Sequence, residues 1–175
     1  MIDTEIQRVI DESPCEVRRY GEECEYIPWT GNLAFKLFST KRIRDEAYDL
    51  QSLAADMNIA PCVAGKFESF DKYGYITEVV PHVASDYLKD EIREARYEDN
   101  GEGRDWKERA KREEKIRNNC GLPEVEKLLN SIGLDTSDNH FNNWGFDKHL
   151  NVVWLDFGNE VIRFRYEDGE WSDEN

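Results

Sequence analysis

The sequence predicts an α+β chain: an N-terminal antiparallel sheet with one embedded helix, followed by a reduced, mainly helical second half. Three observations predict it. Short β-type runs fill the first eighty residues, an amphipathic helix interrupts them at 41–57, and a densely charged helical stretch follows from 86. A length of 175 residues supports one compact unit, and 39% hydrophobic residues with five Trp, eight Tyr and eight Phe supply a core. The division falls at 1–80 and 81–175, the second of which holds the charged segment, the chemistry-bearing motifs and an acidic tail.

Ile2, Ile6, Val9 and Ile10 recur at helical spacing, and Pro14 closes a short opening helix. Tyr26-Ile27 and Leu33 to Phe38 read as antiparallel strands around a Thr30-Gly31-Asn32 turn. Ile43, Ala47, Leu50, Ala54 and Met57 then line one helical face, closed by Pro61. Phe67 to Phe70 and Tyr75 to Val80 form a hairpin across an Asp71-Lys72-Tyr73-Gly74 turn. Residues 86–118 hold eleven acidic and ten basic side chains, so a solvated helical segment is expected. It would break at Asn100-Gly101-Glu102-Gly103 and carry Glu108/Arg112 and Glu113/Arg117 pairs. Pro123 opens another short helix through Val125, Leu128, Leu129 and Ile132, with Gly133 past its end. From Glu167 to Asn175 there are five acids and no base, the expected frayed tail.

A formal net charge of −15 argues against a nucleic-acid binder, whose affinity comes from clustered Lys and Arg releasing counterions. Cys15, Cys24, Cys62 and Cys120 are scattered, and no His stands at a zinc-ligand spacing, so reduced structural cysteines are expected. The amino terminus lacks the apolar core of a signal peptide and no run reaches membrane-spanning length, which makes the cytoplasm the expected compartment and a membrane partner unexpected.

The chemistry concentrates late in the chain. Asp138-Asn139-His140-Phe141-Asn142-Asn143 has the form D-x-H-x-x-N, and thirteen residues after Asn143 comes Asp156-Phe157-Gly158, preceded by the apolar run Val152 to Leu155. Residues 145–156 can fold as a hairpin turning near Asp147-Lys148-His149, which would bring both motifs to one place. Asp135 is expected to cap a turn, and His140 to orient the loop. In order and spacing these motifs resemble the protein-kinase-like superfamily, and are most similar to its small-molecule branches such as aminoglycoside phosphotransferases and choline kinases.

The resemblance implies a truncated protein-kinase-like fold and an ATP- and Mg²⁺-dependent phosphotransferase. Phosphoryl transfer asks for one carboxylate at the incoming hydroxyl and hard oxygen ligands around Mg²⁺. Asp138 would be that base, and Asn143 and Asp156 the metal ligands. Lys36, in the strand Ala34-Phe35-Lys36-Leu37-Phe38, would hold the phosphates as the strand lysine of V-A-I-K does, with Glu46 on the next helix as its buried counter-ion and Asp49 as fallback partner. Glu78 and Val80, in Thr77-Glu78-Val79-Val80, resemble the hinge whose backbone meets adenine.

Departures from the pattern are specific. The phosphate-loop region reads Tyr20-Gly21-Glu22-Glu23-Cys24, leaving Gly21 alone for close backbone approach, and Thr136 stands where protein kinases carry His. Seventeen residues follow Gly158, with nothing like Ala-Pro-Glu or later helices, so the 86–118 segment or a partner would have to support the catalytic loop. In this the chain resembles compact kinase-like proteins encoded by some bacteriophages. Two alternatives follow from the charge: a kinase-like scaffold without turnover that binds or inhibits a basic protein partner, and an acidic nucleic-acid mimic.

Overall fold

The computed structural model describes residues 2–12, 19–20, 24–69, 72–97 and 106–157. Gly21, Cys15, the 100–103 loop, Gly158 and the acidic tail lie outside the described residues. The elements of the first half are α1 (Ile2–Glu12), β1 (Arg19–Tyr20), β2 (Cys24–Pro28), β3 (Leu33–Phe38), α2 (Lys41–Asp56), β4 (Val63–Ser69) and β5 (Lys72–Glu78). Those of the second are β6 (His82–Val83), α3 (Ala84–Tyr87), α4 (Lys89–Tyr97), α5 (Trp106–Cys120), α6 (Leu122–Ser131), β7 (Trp144–Phe146) and β8 (Val152–Trp154). The architecture is α+β, with a five-stranded sheet ordered β1-β2-β3-β5-β4 and a three-stranded sheet ordered β6-β7-β8. Every strand pair is antiparallel.

Strand β3 is central and buried on both faces, which is why it reads as a near-continuous apolar run. Side-chain alternation divides it. Phe35 and Leu37 meet Ile6 and Ile10 of α1, together with Ile27 and Phe67, while Phe38 joins a larger core with Ala47, Leu50 and Ala54 of α2. Lys36 therefore projects to the α2 side. The larger core runs on without a break through Leu122, Leu129, Trp144, Trp154 and Phe157, so the two halves share one interior.

Helix α2 begins at Thr40, whose hydroxyl accepts from the Ile43 N–H at 3.3 Å. Its buried face holds Arg44, Ala47, Leu50, Gln51 and Ala54, whereas Ile43 and Met57 are only half-buried. The interior stripe is thus turned from the expected one and carries two polar side chains. Arg44 fastens the helix to the β4–β5 hairpin by donating to the Phe67 carbonyl at 2.8 Å and to the Gly74 carbonyl at 3.4 Å, and within the helix it pairs with Asp45 at 2.7 Å. Pairing in that hairpin continues to Ser69 and Lys72, so Lys72 to Gly74 are strand residues and not the expected turn, while Phe70 and Asp71 lie outside the described residues.

The described parts of the charged segment, α4 and α5, are helical, and no residue of α5 is buried. Its ion pairs differ from the expected register. Glu108 takes Lys111 at 2.7 Å, and Glu113 takes Arg96 of α4 at 2.8 Å and Arg109 at 3.0 Å. Arg112 donates to the Ala95 carbonyl, and Arg117 lies over the Phe141 ring at 5.6 Å. Tertiary partners on α4 and the loop captured these side chains. Leu128, expected inside α6, is exposed, while Gly133 adopts the left-handed conformation expected after that helix (φ 91).

Burial pulls Glu113 upward in pKa, but the hydrogen bonds and charges of Arg96 and Arg109 outweigh it and hold the carboxyl below its ordinary value. Asp45 and Asp147 are lowered in the same way, against burial, by Lys66 with Arg44 and by Asn151 with His149. A carboxyl whose folded pKa lies below its unfolded one contributes stability above the unfolded value and loses it as pH falls through the folded value. The melting temperature is accordingly expected to be flat down to the ordinary carboxylate range and to fall steeply below it, with Glu113→Gln shallowing that acid limb. An acid limb unchanged in Glu113→Gln would contradict this.

Strand β7 pairs with both β6 and β8, and Gly145 lies opposite Val83. A Cβ at Gly145 would stand 2.4 Å from the His82 carbonyl oxygen and 3.2 Å from Val80 Cγ1. The close approach of the 80–83 segment to the hairpin thus requires glycine. Because the obstacle is backbone, Gly145→Ala is expected to cost about 2–3 kcal/mol, read as a lower denaturant midpoint.

Candidate active site

Lys36 is buried, and its ammonium donates to the Leu155 carbonyl at 2.6 Å and to Gln51 Oε1 at 3.0 Å. The expected Lys36–Glu46 pair does not form. Glu46 sits beside Arg42 at 3.5 Å, and the fallback Asp49 bonds Lys66 at 3.1 Å. At about 100° per residue Glu46 lies about 140° around the helix from Gln51, so only one of them can face β3. Leu53, seven residues after Glu46 and so on the same side of the helix, is 51% exposed.

Gln51 is completely buried and uses its whole amide. Nε2 donates to Thr77 Oγ1 at 2.8 Å and to the Pro61 carbonyl at 3.0 Å, while Oε1 accepts from Lys36 and from Tyr75 OH at 2.8 Å. Donors and acceptors of a primary amide are then all satisfied, which fixes its orientation. The partner of the buried lysine is therefore neutral. Burial pushes the Lys36 ammonium below the ordinary lysine value, against the fields of Cys24 and Asp156, and it lifts the Cys24 thiol to about 11.

The two late motifs meet as their spacing suggested. Asp147 turns the hairpin, its Oδ1 accepting from the N–H groups of His149 at 2.7 Å and Asn151 at 2.9 Å. The Leu155 N–H then donates to the Asn143 carbonyl at 2.8 Å, tying the segment before Asp156 to the D-x-H-x-x-N loop. Asn143 Nδ2 donates to the Asp138 carbonyl at 2.8 Å and to Asp138 Oδ2 at 3.3 Å, leaving its Oδ1 as the atom to meet a cation. His140 Nε2 stands 3.1 Å from Asp138 Oδ1, and Asp135 Oδ1 caps the turn through the Ser137 N–H, as expected. Trp154 Nε1 donates to the Asp156 carbonyl, and the Trp154 N–H reaches Ile59 beyond α2 at 2.8 Å.

The loop is supported from the charged half. Ser85 N–H donates to the Phe141 carbonyl at 2.9 Å, and Arg117 covers the Phe141 ring. In the hinge segment the Glu78 N–H is committed to the Cys62 carbonyl at 3.0 Å and the Val79 N–H to the Asn32 carbonyl at 2.6 Å. The Glu78 carbonyl accepts from Thr77 Oγ1 at 3.4 Å. Among the described residues no cluster of three or more His, Cys, Asp or Glu side chains forms a metal site, and no helix is long and apolar enough to cross a membrane.

Lys36, Asn143, Asp138 and the segment leading into Asp156 are thus joined by consecutive hydrogen bonds, while Glu46 and Asp49 stand outside. Gln51 was the residue that sequence reasoning missed. Its one signal was sharing a helical face with Ala47 and Ala54. No protein-family model matches the chain, and no curated protein matches it.

Proposed function

We propose that this chain is an ATP·Mg²⁺-dependent phosphotransferase on a truncated protein-kinase-like fold. The observation that carries the reading is the Lys36–Leu155 bond at 2.6 Å, which sets a buried strand ammonium beside Asp156. Sheet order and a single helix between β3 and β4 are consistent with it.

The residues present fit the ligand. A buried ammonium hydrogen-bonded to two neutral oxygens suits a polyphosphate, and Asn143 with Asp156 offers the hard oxygens that Mg²⁺ prefers while it keeps several waters. Bound there, the metal nucleotide would supply an electrophilic γ-phosphoryl group. Lys36 would bind phosphate oxygens, Asn143 Oδ1 and Asp156 would hold the cation, and the backbone of Glu78 and Val80 would meet the base. Asp138 accepts the proton of an acceptor hydroxyl as its oxygen bonds to phosphorus and the bond to the leaving diphosphate breaks. Asn143 and His140 keep that carboxylate oriented.

Calorimetric titration of ATP with and without Mg²⁺ tests the reading. Binding strengthened by the metal is expected in the unmodified chain, and the metal-dependent gain should vanish in Asp156→Asn. Absence of binding under every condition would reject the nucleotide site and favour the scaffold that docks a basic partner.

A further inference from the structure

Helix α5 has no buried residue, and it is basic in a chain whose formal net charge is −15. Six of its side chains are basic and three acidic, a net +3. Helix α4, packed on it, is balanced, with three of each, and α6 adds a single net acid. The inner side of α5 is engaged with its neighbours. Glu113 is shared between Arg96 and Arg109, while Arg112 holds the Ala95 carbonyl and Arg117 the Phe141 ring, both neutral partners. On the outer side Lys107, Lys111 and Lys115 are four residues apart and so form one line along the helix. Glu108 and Glu114 lie among them, and Glu108 takes Lys111 at 2.7 Å. Trp106 heads the line, 70% exposed, with the Lys107 ammonium 5.7 Å from its ring centre.

A segment of complementary charge lies in the same chain. Glu167 to Asn175 has five acids, no base and one aromatic residue, Trp171. The tether is long enough to deliver it. Phe157, the last described residue, is buried in the core on which Ile116 and Cys120 of α5 also pack. Glu167 follows ten positions later, a reach of up to roughly 33 Å, whereas the whole of α5 is about 22 Å long. An external polyanion meets the repulsive field of the whole molecule first, but a tethered segment is already present at an effective concentration on the order of millimolar.

We propose that α5 is the docking surface for the chain's own acidic segment 167–175, whose carboxylates pair with Lys107, Lys111 and Lys115 while Trp171 meets the exposed end of the helix at Trp106. Docking there places the acidic segment on the helix whose Arg117 covers the Asp138 loop. It does not depend on nucleotide binding.

Zero-length carbodiimide coupling, which joins a carboxylate to a lysine amine only where the two touch, tests the docking on a mixture of unlabelled and isotope-labelled 175-residue chain. Peptides from 167–175 are expected to be joined to Lys107, Lys111 or Lys115 in same-label pairs, in clear excess over the exposed Lys89 and Lys148. In about 1 M salt, where the screening length falls to about 3 Å, the yield should drop about fivefold. The triple variant Lys107→Gln, Lys111→Gln and Lys115→Gln keeps helix propensity, and a glutamyl endopeptidase should cut its segment 167–175 about fivefold faster than that of the unmodified chain. Absence of these pairs, an even spread over all exposed lysines, or unchanged cleavage in the triple variant would overturn the proposal. So would mixed-label pairs alone, which give the face to a second copy, and so would missing pairs with heparin retention lost in the triple variant, which give it to an external polyanion.

Discussion

Gln51→Leu is expected to destabilise the chain by about 3–5 kcal/mol, although it replaces a polar side chain with an apolar one of similar size deep in the interior. Ordinary transfer arguments give the opposite sign, since leucine gains from burial. The deciding term is what the amide leaves behind: Lys36 loses one of its two acceptors, Tyr75 OH loses its acceptor, and Pro61 O and Thr77 Oγ1 each lose a donor. None of these groups is near water, for Tyr75 and Gln51 are completely buried and Thr77 is nearly so. Glu46→Gln should change stability by less than about 0.5 kcal/mol, because its partner Arg42 is 71% exposed and such pairs contribute little. Urea unfolding of the two variants measures the contrast, and equal midpoints would mean that Gln51 is not the residue holding Lys36.

That contrast also marks how far the site was legible in the sequence. Lys36 stood out because an ionisable residue within a strand buried on both faces must have a compensating environment. Its partner did not, because a buried ammonium points first to a carboxylate, and the neutral Gln51 carries no charge to mark it. Arg44 and Gln51, seven residues apart, mark the true inward face. Each is acceptable there only through groups from other elements: the Phe67 carbonyl for Arg44, and Pro61, Thr77 and Tyr75 for Gln51. Helical periodicity carries no information about partners so distant in sequence. By contrast, the loop from Asp138 to Asn143 and the hairpin to Asp156 are held by contacts between near neighbours, Asn143 with Asp138 and Asp147 with Asn151. Short-range turn chemistry is written in the sequence, and there the expected juxtaposition appears.

The ion pairs of α5 obey the same distinction. Spacing alone pairs Glu113 with Arg117, but the structure gives Glu113 to Arg96 on α4 and places Arg117 over Phe141. A sequence rule for isolated helices is worth a few tenths of a kcal/mol per pair, so a neighbouring helix or ring easily overrides it. Here the override has a consequence for the site, because the displaced arginine covers the loop that carries Asp138. The charged segment thereby contacts that loop directly.

Asp138→Asn is expected to lower phosphoryl transfer about 10²–10⁴-fold, the range for loss of a positioned general base, while leaving the affinity for ATP nearly unchanged. The separation follows from position. Asp138 is exposed and engaged by Asn143 and His140 on its own loop, whereas the buried ammonium that would bind phosphate is anchored through Leu155. An Asn at this position retains an oxygen for the His140 contact, so the loop should keep its shape and the melting temperature should not move. Transfer of labelled γ-phosphate to the chain itself or to lysate components, measured beside an ATP titration, reads both quantities. Loss of transfer with retained binding assigns the base. If both proteins bind ATP equally and neither transfers phosphate, the site is a nucleotide-holding scaffold, and the net charge of −15 directs the search to a basic partner whose capture weakens as salt rises.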